Sequence, residues 1–450
     1  MSAASRRLAH RVTTRHLQAA YPAMAEGGLG GEGVYIGRDV FGSAFVYDPW
    51  TLNKKVIAGP NMLVVGQVGY AKSSLVKTYL WRQQVFGRRA WVIDPKGEYL
   101  PLAVALGAPV LRLRPWAAGA ETGQGPSVRL NPLDPTIAGE RQLALLEAIA
   151  AAKLGRKLAQ EELTALGLGH ARVTAAARRQ RRVATLPQLV EAMLRPAGEE
   201  AALVGTTPVR LAAGSREAAL GLRGLTQGHL RGMFDGPTTA GVDLDAGLVV
   251  VDLSAVLQAD EEIIPILMLI TAAWLQGAWS RGDGIRRIVV LDEAWRVLNN
   301  LATARWLRAA WKLARQYQVQ MVAVTHRFSD LAAAGAAGSE QVELARGLLS
   351  DSETRVVYNQ PPGELAAARE LLGLSSREVE LVSTLGMGEG LWKVGQRSFL
   401  VRHRLSPYEE PIVDTTAGFA ALDSSVAAVR SWLGPAAAPE AAPEAVEPGR

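Results

Sequence analysis

The sequence predicts an α/β fold, with a central, mostly parallel sheet flanked by helices and an all-helical insertion. Three observations carry this. Short apolar runs alternate with helical stretches from residue 62 onward, the pattern of a sheet buried on both faces. The runs vanish between about 137 and 240, where alanine, leucine and arginine recur at helical spacing. The first run leads through "GQVGYAKSS", residues 66–74, into a helix.

The opening of about 30 residues reads as a short amphipathic helix and a glycine-rich hinge, "EGGLGGEG". "VYIGRDVFGSAFVYDPW" alternates like paired strands with Gly and Asp-Pro turns. Together these form an N-terminal helix and short β segment over 1–55. "MLVVG" is a strand, 73–86 a helix and "AWVID" a second strand, with "PVLRL" (109–113) as a third. They form the first part of the core, 56–136. After the helical segment, 137–240, the sheet resumes at "GLVVVDLS", "RRIVVLDEAW", "VQMVAVTH" and "ETRVVYNQ" in the second part, 241–405. Within it, "LWKVGQRSFLVRHRL" reads as a hairpin at the sheet edge. A C-terminal segment (406–433) precedes a Pro/Ala/Glu-rich tail (434–450), which has too little to bury for a core.

Composition excludes some chemistry. The 450 residues contain no cysteine, so disulfide scaffolds, thiolate nucleophiles and Cys-based zinc sites are ruled out. The 48% hydrophobic and 20% charged content suits a globular chain large enough for a substantial core. The N-terminus has arginines without an apolar stretch behind them, unlike a secretory signal. The most apolar run, 263–279, contains Gln276 and is short for a bilayer crossing of about 20 residues, so a buried helix is expected. The net charge of +6 permits polyanion binding. Its sharpest cluster is "RVTAAARRQRR", 172–182, which also reads as a solvated helix face.

The phosphate-loop pattern is Gly, four residues, Gly, Lys, then Ser or Thr. Here Gly66, Gln67, Val68, Gly69 and Tyr70 precede Ala71, Lys72, Ser73 and Ser74. Ala71 stands where the second glycine belongs. Such a loop turns its amides toward phosphates at a helix N-terminus. Lys72 would bridge the terminal phosphates, and Ser73 would bind magnesium. A methyl at residue 71 costs about 1 kcal/mol if the backbone needs positive φ. A second buried strand ends in Asp292 and Glu293. Ligands of open parallel sheets gather at this end of the strands. Asp292 would complete the magnesium shell, and Glu293 would orient and polarise the attacking water. Asp94, Lys96 and Glu98, in "IDPKGEY", would lie beside the loop as supporting groups.

The phosphate loop, "IDPKGEY", "RLNPLDP", "FDGPTT", "VVVDLS", "VVLDEAW" and "VTHRFSDL" occur in this order. The set resembles the type IV secretion and conjugative-transfer ATPases of the HerA/FtsK P-loop superfamily over about residues 55–405. It looks most like the ATPase half of the large cytoplasmic conjugation ATPase. The resemblance implies a RecA-like P-loop NTPase core that uses ATP and Mg2+ and works as a ring, expected to be a hexamer. It also implies a cytoplasmic chain, peripheral at the inner face of the membrane. There it would meet membrane-channel or coupling components and energise transfer of DNA or protein. By position, Thr325 and His326 stand at the family's polar sensor, where Gln is common. Arg315 best fits the arginine finger offered to a neighbouring subunit, with Arg308, Arg346 and Arg355 as alternatives. The resembled ATPases usually carry a long N-terminal docking domain, whereas about 55 residues precede the phosphate loop here, so the docking function is expected to be lost, supplied by a separate protein or taken by the short N-terminal helix. Two further readings stay open: a translocase acting directly on duplex DNA, and a nucleotide-binding scaffold with weak or no hydrolysis, suggested by Ala71 and His326.

Overall fold

The computed structural model describes residues 28–114, 128–280, 283–326 and 340–414. The expected N-terminal amphipathic helix and the Pro/Ala/Glu tail lie outside them. Eleven strands form one sheet. In chain order they are β1 (Val34–Asp39), β2 (Ala44–Tyr47), β3 (Met62–Val65), β4 (Arg89–Asp94), β5 (Val110–Arg112), β6 (Leu248–Asp252), β7 (Arg287–Leu291), β8 (Val319–Thr325), β9 (Thr354–Val357), β10 (Glu389–Val394) and β11 (Arg397–His403). Their order across the sheet is β2-β1-β11-β10-β9-β3-β8-β7-β4-β6-β5. The seven from β9 to β5 are parallel. The other four extend the sheet in antiparallel fashion.

The parallel strands are buried on both faces, which explains their continuous apolar runs. Alternate side chains enter two cores. Leu63, Val65, Trp91, Ile93, Val289 and Leu291 point one way. Met62, Val64, Ala90, Val92, Ile288 and Val290 point the other. The helices of eight or more residues are α1 (Lys72–Gln83), α2 (Gly139–Leu154), α3 (Gln160–Arg179), α4 (Leu186–Leu194), α5 (Pro208–Arg223), α6 (Ile264–Trp279), α7 (Leu301–Gln316), α8 (Glu340–Ser350), α9 (Leu365–Leu372) and α10 (Ser376–Thr384). Leu75, Val76, Tyr79 and Leu80 of α1 fill the second core. Full burial of such aliphatic side chains is worth about 1.5–3 kcal/mol each. On the opposite face, α6 and α7 share a continuous apolar core with α2–α5. The helical stretch is therefore packed onto the sheet through this same core. Among the described residues, Glu261–Trp279 is the one helical stretch apolar and long enough to cross a membrane, and 83% of its window is buried inside the fold.

One expectation is corrected. The β10–β11 hairpin forms as read, but it is not at the edge. β1 pairs with β11, and β2 then forms the border. Local alternation identifies a hairpin but does not say which distant strand covers it. A sequence signal for that pairing is Gly37: a Cβ there would lie 2.0 Å from the Arg402 carbonyl oxygen.

Arg82 fastens α1 to both chain-distant ends of this extension. It grips Glu409 with two bonds of 2.6 Å and donates to the carbonyls of Tyr35 and Arg404. Nearby, His403 on β11 lies 2.9 Å from the Thr78 hydroxyl of α1. Burial lowers the His403 pKa to about 4, with the Arg82 charge adding to the effect and Glu409 opposing it. Below its unfolded pKa the unfolded chain binds this proton more readily, so the neutral ring's stability contribution is present above that pKa and is lost as pH falls toward 4. From pH 7.5 to 5, wild type should lose about 2 kcal/mol more stability in urea titrations than His403→Gln. Parallel pH profiles for the two proteins would remove His403 from this account.

Candidate nucleotide site

The phosphate-loop segment leaves β3 at Val65, the fourth of four buried residues. Gly66 has no room for a side chain: an added Cβ would meet Tyr358 Cβ at 2.4 Å. Gln67 N then donates to the Asn359 carbonyl at 3.0 Å, and Val68 forms an exposed tip. Gly69 has φ +87° and Ala71 φ +72°. Ala71 thus adopts the left-handed conformation that a glycine would take without steric cost. The loop shape is kept, with the methyl tolerated at the start of α1. Tyr70 packs against the core beneath.

Lys72 is buried, and its ammonium donates to the carbonyls of Gly66 (2.5 Å) and Gln67 (3.0 Å). Burial lowers its pKa to about 8, while Asp292 and Glu293 pull in the opposite direction and Lys96 adds to the lowering. The two motifs, 220 positions apart in sequence, therefore lie within electrostatic range of one another. Ser73 and Ser74 sit half-buried in the first turn of α1.

The acids occupy the C-terminal ends of adjacent strands. Asp252, Asp94 and Asp292 terminate or follow β6, β4 and β7, which are neighbours. Asp94 is fully buried, and burial raises its pKa to about 6 despite the amides it accepts. Those amides are of Lys96 (3.2 Å), Gly97 (2.8 Å) and Tyr99 (2.9 Å). Asp94 therefore builds the turn that presents Lys96. Glu98 adds half-buried negative charge that acts on Lys72 and Asp292.

Asp292 is buried and accepts the Glu293 amide at 3.0 Å. Burial, Asp94 and Glu293 raise its pKa to about 8. Glu293 has φ +53°, a strained conformation for a side chain of its size. Its carboxylate is only 2% exposed and accepts from three groups. Lys96 and His326 meet Oε1, the latter at 2.5 Å, and Trp295 meets Oε2. Burial would raise its pKa, but the bonds from His326 and Lys96 outweigh this and hold it at about 2. Thr325 is buried with its hydroxyl unbonded, next to His326, whose buried Nδ1 also lacks a hydrogen-bond partner among the described residues. Val65 and Thr325 are in register across β3 and β8, so the loop and the His326 corner are neighbours.

A divalent ion fits this donor set. Among the described residues no lysine or arginine is bonded to the buried Asp292 carboxylate, and the Ser73 hydroxyl stands next to Lys72 at the start of the same loop helix. Hard oxygen donors of this kind suit Mg2+ held jointly with substrate phosphates. Among the described residues, no group of three or more His, Cys, Asp or Glu could hold a metal alone.

Arg315 does not join this cluster. It is exposed near the end of α7 that leads into β8, at the opposite end of that strand from Thr325, and its side chain passes beside Gly59. Arg346 is paired with Glu343 and Glu370, Arg355 caps the carbonyls of Leu349 and Ser352, and Arg308 packs against Gly347. Sequence reasoning missed three participants. Trp295 was legible only as the end of "LDEAW". Asp252 ends "VVVD" just as Asp94 and Asp292 end or follow their strands, which was a usable signal. Lys77 is buried on α1, its ammonium without a hydrogen bond among the described residues, and burial lowers its pKa against the pull of Glu98, Asp94 and Asp292. Its position five residues after Lys72 gave no hint of this.

Comparisons with known proteins agree with this geometry. Residues 238–393 match the family model of the TraG P-loop domain. No curated protein sequence matches the chain. The structure of VirB4 of Thermoanaerobacter pseudethanolicus is similar at a TM-score of 0.69 and 22% identity, covering 86% of this chain and all of that one. The plasmid coupling protein TrwB, in complex with the ATP analogue ADPNP, matches at 0.52 and 16% over 77% of this chain and 85% of its own. Its complex with ADP and Mg2+ matches at 0.51 and 16%, over 77% and 86%. The fold of this chain is the mostly parallel P-loop fold of these proteins, and the resemblance read from its motifs is to the same group.

Proposed function

We propose that this protein is an ATP-hydrolysing motor of the conjugative or type IV secretion kind, which energises transfer of DNA or protein through an envelope complex. The observation that carries this is the convergence of Lys72, Asp292 and Glu293 at the C-terminal ends of the neighbouring parallel strands β3, β8 and β7, within electrostatic range of each other. The TraG P-loop match and the fold shared with VirB4 and TrwB support the transport setting. In this reading the loop amides and Lys72 hold the phosphates of ATP. Ser73 and Asp292 would hold Mg2+, which supplies charge neutralisation at the phosphates. Glu293 orients and polarises water. Copies of the chain form a ring, with a hexamer as the working form, and Arg315 enters the neighbour's site. Its exposure and its lack of an ion pair among the described residues leave it available for that. The chain acts at the cytoplasmic face of a membrane, docked on channel or coupling components.

Direct action on duplex DNA is a second reading, favoured by one observation. Residues 139–230 carry 13 Lys and Arg against 8 Asp and Glu, a net +5 of the chain's +6. Arg178, Arg179, Arg181 and Arg182 are exposed at the end of α3. DNA-stimulated hydrolysis that falls steeply with salt would establish it. The glycine-like φ of Ala71 weighs against the scaffold reading, which Ala71 and His326 motivate.

Phosphate release from ATP, measured across protein concentrations, should rise per subunit with concentration and vanish in Lys72→Ala. Glu293→Gln should lower kcat by about 10²–10⁴ while keeping nucleotide affinity. Concentration-independent turnover that survives Lys72→Ala would refute the reading. Arg315→Ala and Glu293→Gln should each be inactive, yet co-assembled in equal amounts they should recover roughly a quarter of wild-type turnover, because a mixed ring rebuilds intact sites between neighbours. No recovery would place the finger elsewhere. Ala71→Gly should raise stability in urea by about 1 kcal/mol without weakening ADP binding. An unchanged midpoint would mean the methyl carries no strain.

A further inference from the structure

Three adjacent parallel strands deliver one side chain each to a single carboxylate. Lys96 follows β4, Glu293 follows β7 and His326 follows β8. Lys96 and His326 both meet Glu293 Oε1, and the two nitrogens lie 3.0 Å apart. Trp295 occupies Oε2. Both oxygens of the Glu293 carboxylate are thus engaged by protein donors, with three bonds against about four acceptor sites. A carboxylate bound in this way is a weak proton acceptor, and at 2% exposure it leaves little room for a water.

We propose that Lys96 is a phosphate-responsive positioning residue, which restrains Glu293 in this arrangement and moves its ammonium to the terminal phosphate of a bound nucleoside triphosphate, freeing Glu293 for the attacking water. The proposal rests on the nucleotide-site reading above. Lys96 is the member of the cluster that can move. Its side chain is 34% exposed, against 21% for His326 and 2% for Glu293. Its backbone is fixed, because Asp94 accepts the amides of Lys96, Gly97 and Tyr99. Motion is therefore confined to the flexible four-carbon side chain. Its ammonium already lies within electrostatic range of Lys72, the residue assigned to the phosphates. The γ-phosphate of a triphosphate carries more negative charge than one carboxylate and places it beyond the β position, so it draws Lys96 off Glu293. A diphosphate puts no phosphate at that position, and the restraint holds.

The test is calorimetric titration of the full chain with ADP and with ADPNP, both with Mg2+. Lys72→Ala should weaken both ligands. Lys96→Met should weaken ADPNP by about tenfold and leave ADP within about twofold. Lys96→Gln, which keeps a donor but no charge, should follow Lys96→Met, and Lys96→Arg should restore most of the ADPNP affinity. Equal weakening of both ligands in Lys96→Met, or weakening of neither, would overturn the proposal while leaving the site reading intact. Loss of the folded state in both Lys96→Met and Lys96→Gln would make the pair purely structural and would also overturn it. Unchanged binding in Lys72→Ala would instead remove the site reading itself.

Discussion

Buried negative charge at one end of the sheet is the constraint on which the rest of the site depends. Asp94, Asp292 and Glu293 are all less than 4% exposed, and Asp252 stands beside Asp94 in register. Carboxylates in such surroundings are costly unless each finds donors or a cation. The three find different answers. Asp94 takes backbone amides, and in doing so shapes the turn that follows it. Glu293 takes two basic side chains and an indole. Asp292 takes one amide, and its pKa rises accordingly to about 8. The least compensated of the three acids is thus Asp292, the one proposed above to hold Mg2+.

The phosphate loop depends on the same edge. Lys72 turns inward onto the loop carbonyls, with the acids offsetting part of its burial. The helix behind it is held at its far end by Arg82, whose guanidinium ties β1 and the segment around Glu409 to α1. The antiparallel extension of the sheet is therefore a brace for the loop helix. A charged pair of this geometry, with Glu409 nearly buried, is directional as well as attractive, and so fixes the angle at which α1 leaves the loop.

Most of the fold was legible because parallel strands buried on both faces leave continuous apolar runs, and each run read from the sequence is a strand. The loop and the Asp292-Glu293 pair were legible as candidates because a tight turn before a helix and acids at a buried strand end restrict residue type at fixed spacing. What was hidden depends on long-range pairing. β1 covers the β10–β11 hairpin by pairing with β11, more than 350 residues away, and local alternation does not encode such a partner. Lys96 was recognisable as a neighbour of the loop. Its convergence with His326 on Glu293 was not, because this needs the strand order β4-β7-β8. The departure at Ala71 looked like damage in the sequence, and only its φ of +72° shows that the loop conformation survives it.

The proposed chemistry also explains why one copy of the chain should not suffice. Among the described residues, no arginine is hydrogen-bonded or ion-paired to Asp94, Asp292 or Glu293. The cations within the cluster are the lysines Lys72 and Lys96, with His326 beside them. Lys72 is committed to the loop, and Lys96 in this arrangement is committed to Glu293. Charge that develops on a phosphoryl group in the transition state therefore calls for a further cation, worth on the order of 10³–10⁵ in rate in related chemistry. Arg315 lies at the far end of its strand from Thr325 and is exposed, which is the wrong end for its own site but an available surface for a neighbour's. On the proposed reading, in which Lys96 restrains Glu293 and Arg315 comes from a neighbouring copy, hydrolysis outside the assembly would be held back twice, once by Lys96 and once by the distance to Arg315.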